Sequence, residues 1–247
     1  MSVHIDSRLP TPERTLEISI SPRRLARGLI LLIVVLIGVG GLAHFVTHHV
    51  APHQNHPIAK VMHRFDLGHE PSLPNWYSSL ALLAVAGMAG LLARAERGAD
   101  PRQARSWVQF SALFVALAVD EAILIHELAN VPVRGLLGTS GALYFAWIIP
   151  GAGFALAVAL FFRRFLFALE ARTRNLIVAS GAIFVSGAIG VEMLEGIIVP
   201  TLGVGSLDYT AAEMIEEGLE MCGVVLVLYA LTDHLKRRVS GVYWRIR

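Results

Sequence analysis

Nine of the nineteen acidic residues lie in stretches otherwise apolar enough for a membrane interior. They are Asp120, Glu121 and Glu127; Glu192 and Glu195; and Glu213, Glu216, Glu217 and Glu220. An acid near the centre of a membrane helix costs about 2.5–3.5 kcal/mol even on lenient insertion scales, so several in one chain need a compensating partner. Their spacing is helical. Glu213, Glu216, Glu217 and Glu220 stand at i, i+3, i+4 and i+7 and share one stripe, and Glu192 and Glu195 stand at i and i+3. Asp120 and Glu127, seven apart, are expected on one face of a third helix, flanked by Glu121 and His126.

Almost no Lys or Arg shares these stretches, so the acids cannot all be ionised without help. Either some stay protonated, or a cation binds. Carboxylates with His126 are suitable ligands for Mn, Fe or Zn, and in varying degree for Mg or Ca. Facing helices that each supply carboxylates hold di-metal sites in four-helix bundles, which use Glu-x-x-His. Here the match is incomplete, since Ile123 occupies the position three before His126. The expected metal ligands are Asp120, Glu121, His126, Glu127, Glu192, Glu195, Glu213, Glu216, Glu217 and Glu220. For the two outermost, Glu127 and Glu213, plain contact with interfacial water is the competing reading.

A second group is the histidine-rich stretch: His44, His48, His49, His53, His56, His63 and His69. His44 and His48 are one helical turn apart and could share a face, to capture metal or pass protons toward the acids. The bland alternative is a solvated loop. The lone Cys222 sits in an apolar run and reads as core; it cannot form a disulfide within the chain. No phosphate-binding glycine loop, nucleophile elbow, HExxH or paired CxxC is present.

The elements that must position these residues are membrane helices. The chain has 247 residues, 55% hydrophobic and 16% charged, with mean hydropathy +0.59. That excludes an ordinary soluble domain, and a net charge of +2 gives no nucleic-acid surface. Six segments, at about 28–47, 76–94, 107–129, 142–162, 175–199 and 212–234, can each cross roughly 30 Å of hydrocarbon. Eighteen of the twenty-one Lys and Arg fall on one side of this arrangement, and only Lys60, Arg64 and Arg134 on the other. The asymmetry places both termini in the cytoplasm. Trp76, Tyr77 and Tyr209 then fall at the outer interface, and Trp107, Tyr243 and Trp244 at or near the inner one. Gly41 and Ala43 offer a possible signal-peptide cleavage site, but the long leader with its acids favours an uncleaved anchor. The expected organisation is an all-α, six-helix membrane bundle over 28–235. A tail over 1–27, an outer loop over 48–75 and a basic tail over 236–247 complete it.

In this arrangement the third and fifth helices run outward and the sixth inward, which brings the acids of all three into the outer half of the bilayer. Small residues at four-residue spacing, Ala86 with Gly90 and Ala182 with Ser186 and Gly190, are expected to be the close helix contacts, the second ridge lying opposite Glu192. Pro150, Gly151 and Gly153 are expected to kink the fourth span.

The run Asp120-Glu121-Ala122 through His126-Glu127 resembles the DEA…HE segment of uncharacterised bacterial polytopic membrane proteins, and Glu216 to Gly223, EEGLEMCG, resembles their second recurring segment. The resemblance implies a bacterial inner-membrane protein and carries no activity with it. The expected function is a divalent-metal site of carboxylates and histidine, open to the outer side, in a membrane-embedded enzyme for a lipid-like substrate. Two alternatives stand beside it. One is a cation or proton transporter whose path is the acids, which would need polar groups continuing to the inner side, where only Ser111 and Ser180 offer themselves. The other is a non-catalytic subunit or assembly factor pairing its acids with a partner's basic helix. The expected partners are the bilayer, metal and a lipid-like molecule.

Overall fold

The computed structural model describes residues 21–50, 57–68 and 72–238. Residues 1–20 of the N-terminal tail, His53, His56, His69, and the stretch from 239 with Tyr243 and Trp244 lie outside them. Among the described residues every regular element is helical. In chain order they are α1 (Pro22–Phe45), α2 (Pro57–Met62), α3 (Leu73–Glu96), α4 (Pro101–Ile123), α5 (Asn130–Leu137), α6 (Ile148–Ala168), α7 (Ala171–Val185), α8 (Glu192–Leu202) and α9 (Leu207–Arg238). Single π-helical turns extend α1 over Val46–Val50 and join α7 to α8 over Ser186–Val191.

Among the described residues, five helical stretches are long and apolar enough to cross a membrane: Pro22–Val50, Leu73–Glu96, Pro101–Ile123, Ile148–Ala168 and Ala171–Leu202. The sixth expected span lies on α9, whose 32 residues reach about 48 Å but whose N-terminal half carries the four-acid stripe.

Helix starts follow local chemistry. Pro22, Pro74 and Pro101 occupy first-turn positions, where a missing N–H costs nothing. The Asp100 carboxylate caps α4 by accepting from the Arg102 and Gln103 amides at 2.9 and 3.0 Å. Pro150 is likewise in the first turn of α6, so it starts that helix at Ile148 instead of kinking a span that begins at 142.

α3 and α4 pack along their lengths, with Ser79 Oγ donating to Ala118 O and Ser111 Oγ to Ala86 O, each at 2.8 Å. The buried core fills the half of the bundle away from the acids, around Trp107, Phe110, Phe162, Phe165, Leu92 and Leu231. Trp107 is therefore wholly buried, edge-on to Phe165 at 4.8 Å, and is not part of an interfacial belt. At the end of the bundle where α9 finishes, Arg172 meets Asp233 at 3.0 Å and Arg237 meets Glu170 at 2.5 Å, tying the start of α7 to the end of α9.

Two departures from regular helix shape the acid-bearing half of the bundle. The third span stops at Ile123, six residues short of the expected end, because Leu124 takes a left-handed conformation at φ 56°. A non-glycine residue there is strained by about 1–2 kcal/mol. The second is the π turn at 186–191, which joins α7 to α8. Ala182, Ser186 and Gly190 are exposed, and a Cβ on Gly190 would meet open space. The close approach is at Gly187 instead, where a Cβ would lie 2.8 Å from the Glu216 carbonyl oxygen. Gly187 continues, at helical spacing, the buried face that Thr173, Ile177 and Ser180 form on α7.

Candidate functional site

Two groups of polar side chains occupy the acid-bearing half of the bundle. The first forms where the end of α1 meets the 63–68 turn and the start of α9. The His44 and His48 rings stack with centroids 4.2 Å apart. His44 Nδ1 lies 3.0 Å from Asp66 Oδ1 and 3.3 Å from Glu213 Oε2, all three residues buried, while His44 Nε2 is 3.0 Å from the Val204 carbonyl oxygen. One donor atom each from His44, His48 and Asp66 falls within 4.8 Å of the others. These three are the group of the described residues that could hold a metal ion.

The surroundings make room for this group. The space a Gly68 side chain would fill is taken by the Glu213 carboxyl, and a Cβ on Gly205 would lie 2.9 Å from His48 Cδ2. Thr47 Oγ1 donates toward Asp66 Oδ2 at 3.2 Å, and the Gly68 amide to Asp66 Oδ1 at 3.3 Å. Burial alone would raise the Asp66 pKa. The hydrogen bond and charge of His44, with the Thr47 and Gly68 donors, outweigh it and hold Asp66 below its ordinary value.

Sequence reasoning paired His44 with His48 but missed Asp66. The only signal for Asp66 is its position three residues after His63, inside the histidine-rich stretch. Glu213 is 5% exposed and faces His44, so contact with interfacial water is not its role.

The second group forms at the end of α4. The left-handed Leu124 folds the chain back so that His126 returns onto Asp120: its amide donates to Oδ1 at 2.9 Å and its Nδ1 lies 2.8 Å from Oδ2. Burial would lower the His126 pKa, but the Asp120 hydrogen bond and charge, with the charges of Glu127 and Glu192, raise it overall. The His126 ring lies 4.6 Å from that of Trp147, whose Nε1 donates to Glu192 Oε1 at 2.7 Å. Asn75 Nδ2 donates to the Glu121 carbonyl oxygen at 2.6 Å and lies 3.3 Å from its Oε1. Glu127 sits in a short 3-10 turn, exposed, and does not stack on Asp120 along one helix as its spacing suggested.

Between the groups, Glu195 Oε1 and Glu216 Oε2 are buried with no hydrogen-bond partner. All ten residues expected from the sequence border one cavity of about 1130 Å³, enclosed by α4, α6, α7, α8 and α9. None of the ten belongs to the His44–His48–Asp66 group, although Glu213 touches both. Cys222 is half-buried against Ile33, Met221 and Val225, away from either group.

A family model described as a domain of unknown function, DUF8692, matches residues 23–234, a range that takes in both groups and the cavity. No curated protein and no solved structure matches the chain.

Proposed function

The chain belongs to the DUF8692 family over residues 23–234, and we propose that this member is a divalent-metal protein of the bacterial inner membrane. His44, His48 and Asp66 hold the ion, with Glu213 as a fourth ligand, and the chain crosses the membrane six times with both termini cytoplasmic. The eighteen-to-three split of basic residues supports that orientation.

The observation that carries the metal reading is the environment of His44. Its Nε2–H can donate to the Val204 carbonyl oxygen at 3.0 Å, which leaves the Nδ1 lone pair facing oxygens of two buried acids. A lone pair and two carboxylates repel unless a positive centre lies among them. A backbone carbonyl fixing the far nitrogen is also the usual support of a metal-ligating histidine. Two imidazoles and two carboxylates neutralise a divalent ion and suit Mn, Fe or Zn.

The acid-lined cavity beside this group supports a membrane-embedded enzyme acting on a lipid-like molecule. A bound metal there would supply Lewis acidity or an activated water. His126, held through Nδ1 by Asp120, has Nε2 left to take or give a proton at a substrate. Toward the inner side the cavity wall is Phe110, Phe162, Leu166, Ile177 and Val227, with Ser180 the one hydroxyl on that stretch, which disfavours an ion path across the bundle.

Metal analysis of detergent-purified protein tests the reading. About one Mn, Fe or Zn per chain is expected, lost in His44→Ala and in Asp66→Asn. Wild-type protein that is folded and metal-free after growth with these metals would overturn it and leave His44 as a buried imidazolium. Equal metal content in wild type and both variants would move the site elsewhere, with Glu192→Ala/Glu217→Ala as the next pair.

A further inference from the structure

The two ends of the cavity differ in chemistry, and the difference limits what can fill it. At the outer end Glu121, Glu192, Glu195, Glu217 and Glu220 face a single basic group, His126. Toward the inner end the wall is Phe114, Phe154, Val158, Phe162 and Phe184. The lining runs from Tyr209 to Val227 on α9, about 27 Å, and from Glu121 back to Phe110 on α4, about 16 Å. The stretch on α4 is about half of the roughly 30 Å hydrocarbon core, the depth of one leaflet. At about 1130 Å³ the space far exceeds an ion's needs and reaches the top of the range for small-molecule sites.

Glu195 adds an independent observation. It is 4% exposed, it borders the cavity, and its Oε1 has no hydrogen-bond partner. A buried polar atom left so costs about 1–3 kcal/mol, so this wall is suited to a donor from outside the chain.

We propose that the cavity binds a single-chain amphiphile with an amine headgroup, its ammonium held by Glu192 and Glu195 and its alkyl chain lying along α4, α6 and α7. The headgroup follows from charge. A phosphate or sulfate would set an anion among carboxyls, and an alcohol brings one donor and no charge, whereas an ammonium brings three donors and the compensating charge. The Trp147 indole fixes Glu192 from the other side through its N–H. Entry is sideways from the leaflet on the acid side, past α6, which meets α4 and α7 only sparsely. This inference rests on the lipid-like-substrate reading above and names its chemical class. It does not need the metal, because Glu192 and Glu195 are not in the His44 group.

The test is binding of hexadecylamine, hexadecanol and hexadecyl sulfate to the full chain in neutral phosphatidylcholine nanodiscs, by competition with radiolabelled hexadecylamine, with metal content measured on the same samples. Saturable binding near one per chain is expected, at least tenfold tighter for the amine than for either other probe. Glu192→Gln/Glu195→Gln should weaken the amine at least tenfold. Val158→Trp, which fills the apolar end, should abolish binding while leaving metal content unchanged, and Ala155→Leu serves if that variant does not fold. Equal affinity for the three probes, a preference for the sulfate, or an unaltered amine affinity in the double variant overturns the proposal. Selective amine binding by metal-free wild type would uphold it and overturn only the metal site.

Discussion

Replacing Asp66 by Asn removes one negative charge from the buried His44 group and keeps the shape. The Asn carbonyl oxygen can still accept from His44, so what is lost is the charge in a charge-assisted hydrogen bond. Such bonds contribute about 1.5–3 kcal/mol against 0.5–1.5 for neutral ones, so metal-free protein should lose about 1–1.5 kcal/mol. The loss stays below the 3–5 kcal/mol of an orphaned buried charge, because Glu213 remains 3.3 Å from His44 Nδ1.

With metal the contrast grows. An ion at a hundred times its Kd stabilises the wild type by about 2.7 kcal/mol. If loss of Asp66 weakens binding a hundredfold, the same concentration adds only about 0.4 kcal/mol. The difference corresponds to roughly 5–9 °C in Tm for a chain of this size. Thermal unfolding of chelator-treated protein, with Zn or Mn titrated back, reads both effects. Equal metal-induced shifts in wild type and Asp66→Asn would refute the reasoning. The acid limb gives a second reading. Since Asp66 is held below its ordinary value of 3.8, its stabilisation is present above that pH and is lost as pH falls through the folded value. Asp66→Asn should lack that component.

Three further outcomes are expected. Gly187→Ala should lower Tm and folded yield, since its Cβ would meet the Glu216 carbonyl oxygen at 2.8 Å, while Gly190→Ala, facing open space, should be neutral or slightly stabilising; equal effects in thermal unfolding would contradict the π-turn packing. His126 has a raised pKa, so its contribution is full below the ordinary 6.5 and disappears as pH rises through the folded value. Tm measured across neutral to alkaline pH should show that component in wild type and not in Asp120→Asn, and an identical profile in the two would count against the Asp120–His126 pairing. In a Cys222→Ser background, single cysteines at Ala99 and Ser140 should react with an impermeant thiol reagent from opposite sides of the membrane, the first only after the inner face is opened; reaction of both from one side would overturn the six-span orientation.

What could be read directly from the sequence is what local periodicity and hydropathy control. The all-helical class follows from long apolar runs, which in lipid must satisfy their own backbone. The stripe Glu213, Glu216, Glu217 and Glu220 is read from i, i+3, i+4 and i+7 spacing, and these residues border one cavity with Asp120, Glu121, Glu192 and Glu195. The pairing of His44 with His48 needed only one helical turn.

Tertiary structure decided the rest. Asp66 is an ordinary loop acid until the 63–68 turn folds against α1 and α9, a contact that no spacing within the loop encodes. His126 reaches Asp120 because Leu124, a residue with no intrinsic preference for left-handed backbone, is held there by its surroundings. Gly187, not Gly190, lies on the face that α7 turns toward α9, the face that also carries Thr173, Ile177 and Ser180. The cavity itself is the volume left between helices that each satisfy their own hydrogen bonds, so nothing in any one helix specifies it.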